Sequence, residues 1–101
     1  MPVRGLTVVL TDPLRAEAAL TLLMAQAALG GRARLFAQGP AVTALVGPLI
    51  TEALGLGVEM RACQTGLSDT CLDLSALDPR IEASGPVSII QALGDDRLLA
   101  M

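Results

Sequence analysis

The sequence predicts an α/β domain built on a parallel β-sheet with helices on both faces. Short apolar segments alternate with helical stretches along the chain, which is the pattern of consecutive β and α units. The first apolar segment, 6–10, is continuous rather than alternating, as in strands that are covered on both faces. The 101 residues contain no linker, repeat or low-complexity tract, so we expect a single domain over 1–101.

The chain is expected to begin with a buried strand and an amphipathic helix. The strand covers Leu6–Leu10. Asp12 can cap the helix because its carboxylate can accept from exposed amides, and Pro13 suits the first helical position. Apolar residues then recur at spacings of three and four, at Leu14, Ala18, Leu22, Ala25 and Leu29. Gly30 and Gly31 should end the helix, because glycine readily adopts the left-handed conformation of a helix stop.

The remaining elements continue the alternation of strands and helices. A second strand is expected over 33–38, and the helix over 41–54 should be kinked or split at Gly47-Pro48, because proline removes a backbone donor. A third strand over 58–63 leads into a shorter helical segment over 67–77. The last three elements are a weak strand over 80–83, a helix capped by 84–86 and continuing to 93, and a strand over 97–101.

Residue types that the chain lacks exclude several kinds of chemistry. It has no His, which removes Ser-His-Asp and Cys-His catalysis and imidazole metal ligands. Its seven basic residues are all Arg, so no lysine is present to form a Schiff base or serve a P-loop. With Phe36 as the only aromatic residue and a net charge of −3, nucleic acid is not expected as a partner. We expect neither a cofactor nor classical hydrolase or dehydrogenase activity.

Cysteine content and hydropathy favour a cytoplasmic protein. The two cysteines are too few for a disulfide scaffold, which indicates reduced thiols. The apolar run 6–10 is too short for a secretory signal. Residues 41–58 are apolar on average, but Pro48, Glu52 and three glycines make a poor membrane span. No membrane partner is therefore expected.

Polar residues are scarce even on the expected outer faces of the helices. In the first helix only four residues are clearly polar, namely Arg15, Glu17, Thr21 and Gln26. A monomer of this length buries only about two-thirds of the surface of its unfolded chain. We therefore expect a homo-oligomer in which an apolar helix face packs against another subunit. The alternative is an Ala-rich monomer whose small side chains are tolerated at the surface.

The best chemical signal lies at Cys63, where a buried parallel strand ends and the chain turns towards a helix. Ligands gather at the carboxyl ends of strands in open α/β sheets. This position should give the thiol access to solvent, and a thiol beside a helix N-terminus also meets unpaired N–H groups, which favour the thiolate. Such a thiolate can attack sulfane sulfur and carry it as a persulfide. The alternative is that Cys63 is a small buried residue that completes the strand.

Other polar residues near the strand ends complete the candidate site. Those that follow the first three strands are expected to line a pocket around Cys63: Thr11, Asp12, Gln38, Gly39, Gln64 and Thr65. Cys71 is expected to be a packed helical residue beside Leu72 and Leu74, hence desolvated and slower to react than Cys63. A role as resolving cysteine requires an interruption of the helix. Five remaining acidic groups carry no metal site: Asp69, Asp73 and Asp78 should form a solvated face, and Asp95-Asp96 a turn.

The order of these segments resembles the DsrE/DsrF-like family, small α/β proteins that include sulfur-relay subunits. The similarity lies in the turn Thr11–Ala16 after the first strand, in Leu35–Gly39 at the end of the second, and in the closing helix, acidic turn and apolar strand. Its most specific part is Met60–Thr65, which is close to the family's Ala-Cys-Gln pattern. The resemblance covers essentially the whole chain.

The resemblance implies a three-layer α/β/α sandwich with a five-stranded, mainly parallel sheet, and assembly into trimers, hexamers or other oligomers. In relay members a cysteine at the end of the third strand carries sulfur, and that role maps onto Cys63. Members that serve tRNA thiolation follow this cysteine with small apolar residues and an arginine pair. Gly66, Ser68, Asp69 and Cys71 stand here instead. The chain therefore looks more like the poorly characterised single-subunit branch.

Two functions remain as hypotheses. The first is a cytosolic sulfurtransferase-like subunit in which Cys63 takes sulfur from a donor protein or small molecule and passes it to an acceptor. The second is a non-catalytic homo-oligomer that binds a small ligand or a partner at the same sheet edge. Exposure of Cys63 would favour the first, and a buried thiol would favour the second.

Overall fold

Five strands form the sheet at the centre of the protein, whose computed structural model describes residues 3–101. They are β1 (Leu6–Leu10), β2 (Ala33–Ala37), β3 (Glu59–Cys63), β4 (Glu82–Ser84) and β5 (Arg97–Ala100). The spatial order is β4-β3-β2-β1-β5, and all neighbouring strands are parallel. The expected fold class is confirmed, with a sheet that is wholly rather than mainly parallel.

Helices connect the strands and cover both faces of the sheet. The α-helices are α1 (Ala16–Ala28), α2 (Pro48–Gly55), α3 (Gln64–Asp69) and α4 (Pro86–Leu93), and shorter 3₁₀ helices cover Pro13–Arg15, Gly39–Ala44 and Leu74–Ala76. Helix α1 packs on β1, β2 and α2, whereas α4 lies against the opposite face. The predicted split at Gly47-Pro48 is confirmed: Gly47 has φ +106°, and Pro48 begins α2.

The two faces of the sheet differ in polarity. Towards α1 the strands present apolar residues that are completely buried, such as Val8 and Leu35. Towards α4, β2 and β3 carry ion pairs, of which Arg34–Glu59 joins the two strands at 2.9 Å. The expectation that β1 and β3 are fully buried is wrong, because Val9 is half-buried and Glu59 is exposed. The physical reason is that α4 buries none of its own residues completely and leaves this face partly open.

Helix α1 has apolar residues on two sides, and only one of them faces the sheet. The buried side consists of Ala19, Leu20 and Leu23, together with Gln26. The apolar series identified from its spacing lies on the other side, where Leu22 is 46% and Leu29 is 70% exposed. The helix is therefore apolar on its outer side as well, as the scarcity of polar residues had suggested.

The helical segment expected over 67–77 is wrong in its bounds. Helix α3 starts directly after β3 and ends at Asp69, and a turn separates it from the 3₁₀ helix Leu74–Ala76. Cys71 lies in that turn with φ +55°, a conformation that ends a helix. The hydroxyl of Thr70 donates to the Gly66 carbonyl at 2.7 Å, and the Leu72 amide donates to the Leu67 carbonyl at 3.0 Å. These bonds satisfy carbonyls at the end of α3.

The turn expected at Asp95-Asp96 is confirmed, and the Asp96 amide donates to the Leu93 carbonyl across it; the turn also places one carboxylate in the interior. The Asp96 side chain is fully buried, and it accepts hydrogen bonds from the half-exposed Arg32 guanidinium and, at 3.0 Å, from the Thr7 hydroxyl. The hydrogen bond from Arg32 lowers the pKa of Asp96 by more than burial raises it. Because a side chain at Gly5 would collide with this carboxylate, the cluster also requires glycine there.

Replacing Asp96 with Asn should lower the free energy of unfolding by about 2 kcal/mol near neutral pH, because an amide loses the charge-assisted bonds with Arg32. The Asp96 pKa is lower in the folded than in the unfolded chain, so this stabilisation is present above the ordinary carboxyl pKa. It is lost as the pH falls below about 4, and the difference between Asp96→Asn and wild type should shrink there. Urea denaturation of wild type and Asp96→Asn, near neutral pH and again below about pH 4, measures both effects. The exposed neighbour Asp95 serves as the control. A loss of stability in Asp95→Asn as large as in Asp96→Asn would contradict this account.

Candidate functional site

The candidate site lies at the edge of the sheet where β1, β2 and β3 end. Cys63 is both the last residue of β3 and the N-cap of α3, so no loop separates the strand from the helix. The 3₁₀ helix Gly39–Ala44, which follows β2, packs against α3. The Cys63 side chain is thus enclosed by the starts of two helical segments.

Three backbone amides surround the Cys63 thiol. The Gly66 amide donates to Sγ at 3.4 Å, and the amides of Gly39 and Thr65 also stabilise the thiolate. Burial is the largest influence and raises the Cys63 pKa, but the three amides together lower it by more. The pKa of Cys63 therefore lies below its ordinary value, as the sequence position at a helix start suggests. The donors come from two separate segments of the chain.

The close approach of these segments depends on Gly66. A Cβ at this position would lie 2.5 Å from the Gly39 carbonyl oxygen and 3.0 Å from a Val42 methyl group. Such distances cannot be accommodated by moving a flexible side chain, because the first contact is with backbone. Gly39 has φ +58°, which also favours glycine. The importance of Gly66 was missed in the sequence, although a glycine in the first turn of a helix is a detectable signal.

The thiol is less accessible than the sequence suggested, since Cys63 is only 6% exposed. Cys71, expected to be buried, is exposed. Cys63 is buried because α3 packs against the 3₁₀ helix that follows β2. Cys71 is exposed because α3 ends before it, so that residue lies in a surface turn rather than on a packed helix face. The argument that desolvation slows Cys71 is therefore wrong.

The other predicted site residues have three different roles. Gly39 and Thr65 contribute amides to the Cys63 environment. Gln38, like Thr11 and Gln64, is exposed at the same sheet edge without a described bond to the thiol. Asp12 acts as the predicted cap, accepting from the Leu14 amide at 2.9 Å, although the first turn that it caps is a 3₁₀ helix.

Residues 3–101 contain neither a cluster of metal ligands nor a membrane-spanning helix. No group of three or more acidic or cysteine side chains is placed to hold a metal ion in this part of the chain. Over the same residues, no helix has both the length and the apolar character needed to cross a bilayer. A cavity of about 140 Å³ lies between the sheet and α4, among Arg34, Phe36 and Ser88.

Comparison with solved structures identifies proteins of the same architecture. The crystal structure of the ychN protein from E. coli superposes with a TM-score of 0.81 at 20% sequence identity, over 98% of this chain and all of that one. The protein of unknown function MTH1491 from Methanobacterium thermoautotrophicum gives the same TM-score and coverage at 17% identity. All three chains share one fold. No family model matches the sequence, and no curated protein matches it either.

Substituting Gly66 tests whether the thiol environment depends on this close approach. Gly66→Ala should destabilise the protein by about 1–3 kcal/mol, because the new methyl group meets the Gly39 carbonyl. It should also raise the Cys63 pKa, because moving α3 away from Gly39 weakens the amide contacts. Thiolate absorbance during a pH titration in a Cys71→Ser background measures the pKa.

Gly55→Ala is the matched control, since a Cβ at Gly55 in α2 meets nothing within 4 Å. It should change neither the stability by more than about 1 kcal/mol nor the thiol titration. Unaltered titration in Gly66→Ala would show that the amides do not control the thiolate.

Proposed function

We propose that this chain is a DsrE/DsrF-like protein that handles sulfur, with Cys63 as the residue that carries it. The observation that supports this most is the convergence of the Gly39, Thr65 and Gly66 amides on Cys63, which lowers its pKa. A larger thiolate fraction at neutral pH favours nucleophilic attack without any histidine. The resemblance around Met60–Thr65 supports the same residue, and the shared fold is consistent with this family.

The reaction proposed is transfer of one sulfane sulfur atom. The Cys63 thiolate attacks the outer sulfur of a donor persulfide, polysulfide or thiosulfate, and a new S–S bond forms. The donor S–S bond breaks, and its electron pair leaves on the donor thiolate, on the shortened polysulfide or on sulfite. No external oxidant is needed. An acceptor thiolate then attacks the outer sulfur of the Cys63 persulfide and releases the Cys63 thiolate again.

The three amides act in both transfers. They can stabilise negative charge on Sγ, both in the attacking thiolate and when Cys63 is the leaving group in the second transfer. Because Cys63 is 6% exposed, small inorganic donors should react more readily than bulky reagents. We place the protein in the cytoplasm, where thiols remain reduced.

The burial of Cys63 is also the observation that favours a second function. If the thiol is only part of the wall of the site, the protein is a homo-oligomer that binds a small ligand or partner at the same edge. That edge would supply polar contacts to the ligand from three exposed residues, Thr11, Gln38 and Gln64.

Sulfur loading separates the two functions. Treatment with thiosulfate or polysulfide should add the mass of one sulfur atom to wild type and to Cys71→Ser but not to Cys63→Ser, as read by intact mass spectrometry. A bulky maleimide should show the reverse preference and label exposed Cys71 before buried Cys63. Loss of the sulfur adduct in Cys71→Ser, or no adduct in wild type, would favour the ligand-binding protein.

We further propose a homo-oligomer, supported by the apolar outer side of α1. The exposure of Leu22 and Leu29 there would be unusual in a small monomer. Light scattering at micromolar concentration should give a mass well above the 10.4 kDa of one chain. A single species at the mass of one chain would refute the assembly and leave the sulfur chemistry untouched.

A further inference from the structure

The edge strand β5 exposes both its backbone and its side chains. Within residues 3–101, β5 pairs with β1 on one side and with no strand on the other. Leu98 is 49% and Leu99 is 38% exposed. Natural edge strands are usually protected by charges, proline or bulges, and β5 has only Arg97, at its first position. This edge is therefore suited to pairing with another strand.

The hydrogen-bonding pattern identifies which groups face outwards. The amides of Arg97 and Met101 donate to β1, to the carbonyls of Gly5 and Val9, both at 2.8 Å. Because the direction of the peptide groups alternates along a strand, the N–H and C=O groups of Leu98 and Ala100 point away from β1. The outer edge thus presents two residues that can each donate and accept.

An apolar groove adjoins this edge on the α1 side of the sheet. It runs between α1 and β5, with Leu22, Ala25 and Leu29 on the helix and Leu99 on the strand. A stable homodimer typically buries about 800 Å² on each subunit, which a pair of four-residue strands does not supply alone. The groove extends the apolar area beside the strand towards that requirement.

We propose that β5 pairs antiparallel with β5 of a second copy about a two-fold axis at Leu99, so that two sheets join into one of ten strands. This arrangement places Leu98 opposite Ala100 of the other copy, and the outward groups of the two residues satisfy one another. The axis passes between the two Leu99 side chains, which lie on the α1 face together with the groove. The proposal specifies an interface and does not depend on the chemistry of Cys63.

The charges of β5 favour this register and allow a second copy as the occupant. With the axis at Leu99, the two Arg97 residues lie four positions apart along the strand, about 13 Å, which exceeds the screening length at physiological salt. Moving the axis to Leu98 would halve that separation and require backbone pairing at Asp96, whose amide already donates to the Leu93 carbonyl. The central residues of β5 are uncharged, so two identical strands meet without repulsion.

Disulfide trapping tests the register directly. Directly opposed residues without mutual hydrogen bonds have Cα atoms about 4.5 Å apart, within disulfide range. In a Cys71→Ser background, Leu99→Cys should therefore form a covalent dimer on mild oxidation. The matched control is Leu98→Cys, whose symmetry mate would lie about 8 Å away, too far for a disulfide.

A second variant tests the backbone pairing without removing any bond to β1. Because the Ala100 amide points outwards, Ala100→Pro should leave the chain folded but weaken dimerisation at least about tenfold, as measured by light scattering and by slower trapping of Leu99→Cys. A chain that stays monomeric, or an oligomer in which Leu98→Cys cross-links as readily as Leu99→Cys, would overturn the proposal. In the latter case the apolar side of α1 would carry the assembly without β5.

Discussion

Contact between the backbones of Gly66 and Gly39 is the constraint on which the carboxyl edge of the sheet depends. Since β3 passes into α3 without a loop, the first turn of α3 must lie against the segment that follows β2. Only glycine at position 66 leaves enough space. The same approach directs amides from both segments at Cys63. Packing and thiol chemistry are therefore consequences of one local geometry, and neither can be altered alone.

The amino edge of the sheet is held by a different kind of interaction. There the buried carboxylate of Asp96, the residue before β5, accepts hydrogen bonds from Thr7 of β1 and from Arg32, which precedes β2. It therefore connects three strands. A buried carboxylate is costly unless it is paired and hydrogen-bonded, and here both conditions are met. The sheet is thus fixed by backbone packing at one end and by a charged cluster at the other. The apolar face beneath α1 lies between them.

Local signals account for what could be predicted from the sequence. Continuous apolar runs indicated the strands, and Gly47-Pro48 indicated the break before α2, because both effects act within a few residues. The placement of Cys63 between the end of a strand and the start of a helix followed from the same kind of evidence, although the helix begins at Gln64 rather than near Leu67. Which side of α1 faces the sheet could not be predicted, since both sides are apolar.

The errors concern interactions between distant segments. The turn at Asp95-Asp96 was predicted, but the burial of the Asp96 carboxylate was missed because its partner Thr7 lies 89 residues away in sequence. The exposure of Cys71 was missed because the end of α3 depends on bonds from Thr70 and Leu72 that spacing does not reveal. The burial of Cys63 was missed because it depends on the packing of α3 against the segment after β2. Periodicity describes an element in isolation, whereas burial depends on its neighbours.

The position of β1 has a consequence for how the chain reaches this structure. β1 lies between β2, which follows it closely in sequence, and β5, whose pairing closes a loop of almost the whole chain. Contacts of such long sequence separation form slowly, because a large loss of chain entropy precedes them. During synthesis on the ribosome, one side of β1 therefore remains without its partner until β5 has emerged. In that interval the nascent chain presents an apolar strand edge of the kind that chaperones protect.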